Sequence, residues 1–241
     1  MANMICLDMF KKTPILKYES GVEEYQNIIV PSKTVVPEWY KKIPKWKDKK
    51  MFEVETGLNH TIKLCVPFLD SMTNGYVITL PFDVYVKDNN GSPFLTWALG
   101  ADELCPTWRE ISNENIVPFG HYPLEYVWKT NVALTIPKGY SALFTHPLNR
   151  HDLPFTTLSG IFDGGLVMQS KGSAPFFIKK GFEGIIPQGT PIAQLILFRQ
   201  ENWKSKKIPG LLKIGNLHKQ SSLLVLSGWY KKTFWVRKNY E

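Results

Sequence analysis

Cysteine is scarce in this chain: Cys6, Cys65 and Cys105 are widely spaced, odd in number and form no CxxC pair. That excludes a disulfide framework and a cysteine-built metal site, and leads us to expect a reducing compartment, the cytoplasm. No run of about 18 apolar residues occurs, so neither a membrane span nor a membrane partner is expected. The opening MANMICLDMFKK lacks a basic stretch followed by a long apolar one, so no signal peptide is read. The five histidines (His60, His121, His146, His151, His218) never fall in HxH, HxxxH or HExxH spacing, which argues against a histidine-held metal. There is no GxSxG, no P-loop and no GxGxxG. Charged residues make up only 21%, too few to suggest disorder.

What is present is a packed globule's composition, with 44% hydrophobic and 13% aromatic residues in 241. Residues 1–69 carry 11 Lys/Arg against 8 Asp/Glu, residues 70–198 carry 8 against 11, and residues 199–241 carry 10 against 2. The basic stretches, KKIPKWKDKK, WKSKK and YKKTFWVRK, mix lysine with Trp and Tyr, which can suit nucleic acid. A solvated lysine-rich face is the stronger reading, and nucleic acid is not an expected partner.

From His60 the chain becomes a series of short β-branched and aromatic segments: HTIKLCVPFLD, GYVITLPFDVYV, FLTWALG, EYVWKTNVALTIP, YSALFTHP, FTTLSGIFD, GLVMQSKG, APFFIKKGF and PIAQLILF. Turn signals such as NNG, PKG, DGG and PQG separate them, the pattern of an all-β sandwich or barrel. SGVEEYQNII predicts a short helix with Ser20 as N-cap and Glu23 in capping-box position. Pro37 opens a helical turn through Trp39 and Tyr40 that Pro44 ends. SSLLVLSGWYKKTFWVRK predicts a C-terminal helix, weakened by Gly228. We expect residues 1–60 to be an extension on the core, 61–200 the β core, and 201–241 a basic aromatic arm.

Asp163 follows an apolar strand and sits on a Gly-Gly turn, where it either holds a water or a ribose hydroxyl or serves only as the turn residue. Gln194 is the odd residue in IPQGTPIAQLILF; within an apolar strand its amide must bond to nearby backbone. Gly189 would supply unusual backbone dihedrals there.

The order Pro137-Lys138-Gly139-Tyr140, Gly160-Ile161-Phe162-Asp163 and Gly189-Thr190-Pro191-Ile192-Ala193-Gln194-Leu195 resembles the core of the dUTPase and dCTP deaminase superfamily. NGYVITLPFDVYV stands where that family's first motif would lie. PKGYS, PLNRHDLPF, SGIFD and GTPIAQ together also resemble an uncharacterised family of bacterial and phage proteins, which brings no activity. The first resemblance implies a mainly all-β fold, a dUTPase-like β-barrel or β-sandwich of β-clip or jelly-roll type, with short helical N- and C-terminal additions. It implies a nucleotide or other small phosphorylated ligand and a homotrimer. Asp163 would orient water or a sugar hydroxyl, Tyr140, Asn149, Arg150 and Gln194 would contact ligand, and Asp83 would help hold Mg²⁺, the cofactor of a pyrophosphatase-like hydrolase. The sequence departs from that family at THPLNR, at GGLVMQ after Asp163, at Pro191, and in lacking a Gly-rich closing arm, so the resemblance speaks more for fold than for reaction. Two other readings stand beside it. One is a non-enzymatic assembly protein with Trp39, Trp46, Trp229 and Trp235 as anchors; the other is a metal enzyme of cupin type.

Overall fold

The computed structural model describes residues 13–22, 25–47, 61–98, 106–109, 114–165, 167–170, 174–224 and 229–241. Its first seven strands are β1 (Lys17–Ser20), β2 (Ile29–Pro31), β3 (Tyr76–Thr79), β4 (Val84–Asn89), β5 (Ser92–Trp97), β6 (Thr107–Arg109) and β7 (His121–Trp128). Eight more follow: β8 (Val132–Thr135), β9 (Tyr140–Thr145), β10 (Phe155–Thr157), β11 (Gly160–Asp163), β12 (Val167–Ser170), β13 (Ala174–Lys179), β14 (Gly184–Ile186) and β15 (Pro191–Arg199). Helices α1 (Glu38–Lys42), α2 (Val66–Thr73), α3 (Leu211–Leu224) and α4 (Trp229–Thr233) complete the described elements.

The strands form four antiparallel sheets ordered β1-β8-β12, β10-β13-β7-β6, β11-β9-β15-β3-β2 and β14-β4-β5. The fold is therefore mainly β and sandwich-like, and no sheet closes into a barrel among the described residues. Between the sheets lies one apolar core. At its centre Trp128 stacks on Phe176 with ring centroids 3.7 Å apart, and Phe155 meets Trp128 edge-on. Offset stacking of this kind adds to the burial of three large rings.

Several expectations change. Ser20 does not cap a helix: it ends β1, because Lys17–Ser20 pairs with Val132–Thr135, and its hydroxyl accepts from the Val22 amide at 3.1 Å. Glu23 lies outside the described residues. HTIKLCVPFLD is helical rather than a strand. Thr61 accepts from the Lys63 amide to open a 3₁₀ turn, and α2 follows with a proline in its first turn. That proline lacks the amide a strand ladder would need and suits a helix start. GYVITLPFDVYV breaks into β3 and β4 around Pro81. The tail helix starts earlier than expected, at Leu211, and residues 225–228 lie outside the description. As expected, Pro37 precedes α1, which stops before Pro44.

Leu211–Leu217 of α3 is exposed throughout. Past it, the chain returns to the body. Trp235 Nε1 and Lys238 Nζ both donate to Asp70 Oδ2, at 2.8 and 2.7 Å. Tyr76 donates its hydroxyl to the Glu241 carbonyl at 3.0 Å, Tyr240 donates to Asn74 Oδ1, and the Tyr76 and Tyr240 rings meet edge-on.

Candidate functional site

Adjacent strand residues point to opposite faces, and directly paired residues share a face. In the five-stranded sheet, Ser141 pairs with both Asp163 and Phe198, while Tyr140 pairs with Arg199 and Ala142 with Leu197. Tyr140, Arg199 and Leu197 therefore share one face. Asp163, Ser141 and Phe198 share the other.

On the first face a hollow of about 670 Å³ is lined by Tyr76, Ile136, Pro137, Tyr140, Leu197 and Tyr240, with residues 13–16 and the tail on its flanks. Its volume falls in the range usual for small-molecule sites, roughly 300–1,000 Å³. Arg199 is not among its lining residues but contacts one of them: the guanidinium lies 5.8 Å from the Tyr140 ring centre, and its Nε donates to the Tyr140 hydroxyl at 3.3 Å. Among the described residues Glu241 is the one carboxylate-bearing residue lining the hollow, and its Oε1 accepts from Asn239.

On the second face, Ser141 Oγ donates to Asp163 Oδ1 at 2.7 Å, and Gln200 Nε2 donates to Ser141 Oγ at 3.1 Å. The Ser141 hydrogen bond, followed by one from Gln200, holds the Asp163 carboxyl below its ordinary range, so it is anionic at neutral pH. Gly164 and Gly165 tie this end to the Ile136–Tyr140 turn through Gly164 N–H to Tyr140 O (2.8 Å) and Gly165 N–H to Ile136 O (2.9 Å). A side chain at Gly164 would run into the backbone oxygens of residues 136, 137 and 140.

The other expected ligand residues gather elsewhere. Gln194 is buried in β15 opposite Thr145. Thr145 is five residues along β9 from Tyr140, roughly 17 Å at about 3.4 Å per residue. Gln194 Oε1 accepts from Leu148 N–H at 2.9 Å, and its Nε2 donates to Ser71 O (2.9 Å) and Asn74 O (2.7 Å). The amide thus bonds to nearby backbone, as its place in an apolar strand demands, and it fixes the loop after β9 to the end of α2. In that loop Asn149 has a positive φ of 61° and donates to Ser71 Oγ. Arg150 forks onto the Asp152 carboxylate at 2.9 Å from both Nε and Nη2, and reaches Val35 O at 3.3 Å. Burial alone would raise the Asp152 carboxyl; the Arg150 hydrogen bond and charge, with a hydrogen bond from Trp39, overcome that and lower it. His146 sits behind this loop. Its Nδ1 accepts from Thr157 N–H at 3.3 Å, so its Nε2 donates to Arg150 O at 3.1 Å, and burial pushes its pKa down to about 4.

Asp83 stands in a third place, at the turn before β15, where its carboxylate accepts from Gln188 N–H at 2.7 Å. Mg²⁺ is ordinarily held by one or two carboxylates, waters and substrate phosphates. No three His, Cys, Asp or Glu side chains gather among the described residues. Asp83 caps that turn with its carboxylate and belongs to no such group of three.

The six expected site residues therefore fall in three places: Tyr140 and Asp163 at one end of the sheet on opposite faces, Asn149, Arg150 and Gln194 at the other end, and Asp83 at a turn. Sequence reasoning missed Ser141, Arg199, Gln200 and the hollow's Tyr76 and Tyr240. PKGYS contains Ser141, but nothing in the sequence pairs it with Asp163.

No family model matches the chain, and no curated protein does. Among solved structures, a dUTPase from phage phi11 of S. aureus, described with a structural Mg(II) ion, is 20% identical over 35% of this chain and 72% of its own, with a TM-score of 0.26. A dUTPase from Staphylococcus bacteriophage 80alpha is also 20% identical over the same shares, with a TM-score of 0.25. The EIAV dUTPase is 12% identical over 80% of this chain and 100% of its own, with a TM-score of 0.30. Scores this low leave the activity of those proteins with those proteins. No described helix is long and apolar enough to cross a membrane.

Proposed function

We propose that this chain is a binding module for a small ligand that joins an aromatic ring to a phosphate, the nucleotide class, and that it binds without hydrolysing. The observation that carries this reading is the hollow walled by Tyr76, Tyr140 and Tyr240, with the Arg199 guanidinium against one of those rings, Tyr140. Tyrosine rings offer faces for a flat heterocycle, and a guanidinium pairs with phosphate oxygens through a planar fork. Among the described residues Glu241 is the one carboxylate-bearing residue at the hollow, and its carboxylate accepts from Asn239; the acid expected to activate water is not there. Asp163 lies on the opposite face of the sheet, and its lowered pKa makes it a poor proton acceptor. Arg150, committed to Asp152 and Val35, is better read as a clasp between the PLNR loop and the stretch just before α1 than as a phosphate ligand. Any Mg²⁺ would arrive on the ligand's phosphates.

Thermal unfolding against a panel of ribo- and deoxynucleotides, with and without Mg²⁺, tests this. A ligand at about 100 times its Kd stabilises by roughly 2.7 kcal/mol, a rise of several degrees for a chain this size. The rise should vanish in Arg199→Ala and Tyr140→Ala and persist in Asp163→Asn. No rise with any nucleotide at millimolar concentration would remove the reading. Loss in Asp163→Asn alone would move the site to the other face.

A second reading, assembly, is favoured by that other face. Ile161 and Phe198 are exposed there beside half-buried Leu143 and Ile196, and β11 is an edge strand with backbone free to pair. The homotrimer implied by the resemblance would cover this face. A solution mass equal to one chain would exclude it.

A further inference from the structure

The arm between β15 and the tail clasp, residues 200–234, plays no part in the proposed ligand site, yet its seven lysines and one glutamate hold most of the chain's net charge of +8. Residues 199–241 carry ten Lys/Arg and two Asp/Glu, while residues 1–198 carry 19 of each. Along the arm, Ile208, Leu211, Leu212, Ile214 and Leu217 are all more than half exposed, Leu212 at 86%. Lys204, Lys206 and Lys207 precede these side chains, and Lys231 and Lys232 follow them; all five lysines are exposed.

The sequence expectation of no membrane partner rested on the lack of a spanning run, which does not bear on surface attachment; we propose that this arm is a peripheral attachment site for an anionic lipid surface. The charge decides the partner's sign, and the aliphatic side chains decide its kind. A second copy of the chain offers a body of zero net charge and another strongly basic arm, which repels the first. Nucleic acid offers the negative charge but no apolar interior in which leucine and isoleucine could leave water. An anionic bilayer offers both: headgroups for the lysines, and an acyl boundary into which an interfacial helix sinks its apolar side chains. The geometry agrees. Leu211, Ile214 and Leu217 recur at threefold spacing on one side of α3, which has 14 residues. Its length of roughly 21 Å falls short of the ~30 Å hydrocarbon core, so it would lie in the surface rather than cross it. Both ends of the arm are tied to the body, at Gln200 N–H to Gly139 O and at the Asp70 clasp, so the helix is presented outward as a held loop.

Flotation of the full chain with vesicles tests this. We expect the protein to float with phosphatidylserine-rich vesicles and to stay down with phosphatidylcholine alone. Lys204→Glu/Lys206→Glu/Lys207→Glu should weaken flotation more than about tenfold, since each basic residue near such a surface contributes about a fivefold factor. Leu211→Asp/Leu217→Asp should also abolish it, at low salt as well as high. Circular dichroism and melting temperature should not change in either variant, because these side chains are more than half exposed or lie in the exposed lysine stretch. Three results would overturn the proposal: no flotation with phosphatidylserine; flotation that the leucine changes leave intact while a single-stranded oligonucleotide competes for the protein; or a vesicle-free solution mass above one chain that falls to one chain in the leucine variant. The second would mean charge alone, and the third a copy-to-copy contact.

Discussion

Replacing Gln194 by glutamate changes one atom's chemistry and inverts the demands of the site. Gln194 Nε2 supplies the hydrogens for two backbone carbonyls, Ser71 O and Asn74 O, while Oε1 takes the Leu148 amide. An ionised glutamate keeps the Leu148 bond but turns a bare oxygen toward the two carbonyls in a buried place. Ser71 O loses its side-chain donor, Asn74 O keeps only the Ser32 Oγ–H at 3.0 Å, and the bare oxygen faces both; these losses at about 1–3 kcal/mol each, plus the burial of charge, set the cost at pH 7 near ~4 kcal/mol. At about 2–4 °C per kcal/mol, the melting temperature should fall by roughly 8–16 °C. The protonated acid can donate to one carbonyl and so recover about half of that loss, ~2 kcal/mol. By linkage this requires a folded-state pKa about 1.5 units above the unfolded value, near 6. Because the folded form then binds more protons than the unfolded, the penalty is fully present above the folded pKa and shrinks as pH falls from about 6 toward 4.5. Gln194→Leu should cost a similar amount with no pH dependence of its own. Urea unfolding of the three proteins from pH 7 to 4.5 is the assay. A glutamate penalty below about 1 kcal/mol, or one that does not shrink relative to Gln194→Leu on acidification, would refute the assigned role of the amide.

The remaining predictions are more compact. His146 should cost the wild type stability on acidification: its folded pKa of about 4 lies below the ordinary 6.5, so the unfolded chain takes up the proton first and stability falls from about pH 6.5 down to 4, by about 3 kcal/mol in all. His146→Asn should flatten that part of the curve, and an NMR titration placing His146 near 6.5 would contradict it. Gly75→Ala should destabilise by roughly 3 kcal/mol or more, since φ is +73° and the new Cβ would stand 1.9 Å from Leu195 O in the neighbouring strand; an alanine variant melting at the wild-type temperature would count against the β3–β15 packing. Asp163→Asn should leave the melting temperature within about a degree, because the side chain is exposed and its partners Ser141 and Gln200 can bond to the amide instead.

How far the sequence could be read depends on how local each feature is. β5, β13 and β15 were legible because β-branched and aromatic residues run between clear turn signals. The helical turn after Pro37 was legible for the same reason, since a proline acts on its own neighbours. HTIKLCVPFLD was misread because a short apolar run looks alike in a buried strand and a helix, and only Pro67 inside it argued for the latter. SGVEEYQNII failed because pairing of Lys17–Ser20 with a strand more than a hundred residues away outweighed a local capping pattern. At the candidate site, Asp163 was visible as an acid at a strand end, but the face it occupies was not, because register is a long-range property. PLNRHDLPF and the helical turn after Pro37 were each read alone, and the structure joins them through a Trp39–Asp152 hydrogen bond, with Arg150 reaching Val35 just before that turn. A shared pattern can therefore mark two surfaces that hold each other, with no ligand between them.

The Asp70 clasp gives the arm the mechanics of a strap buckled at both ends. A single cut anywhere in residues 205–230 would not shed the tail at once. Trp235, Lys238 and Tyr240 would keep the severed piece seated, and with it one wall of the tyrosine-lined hollow. What the cut removes is the enforced return: the tail's contact with the body becomes a meeting of two molecules and so depends on dilution. A nicked chain should run as one species when concentrated and as two when dilute. The hollow would then open by dissociation, without any change inside the β core.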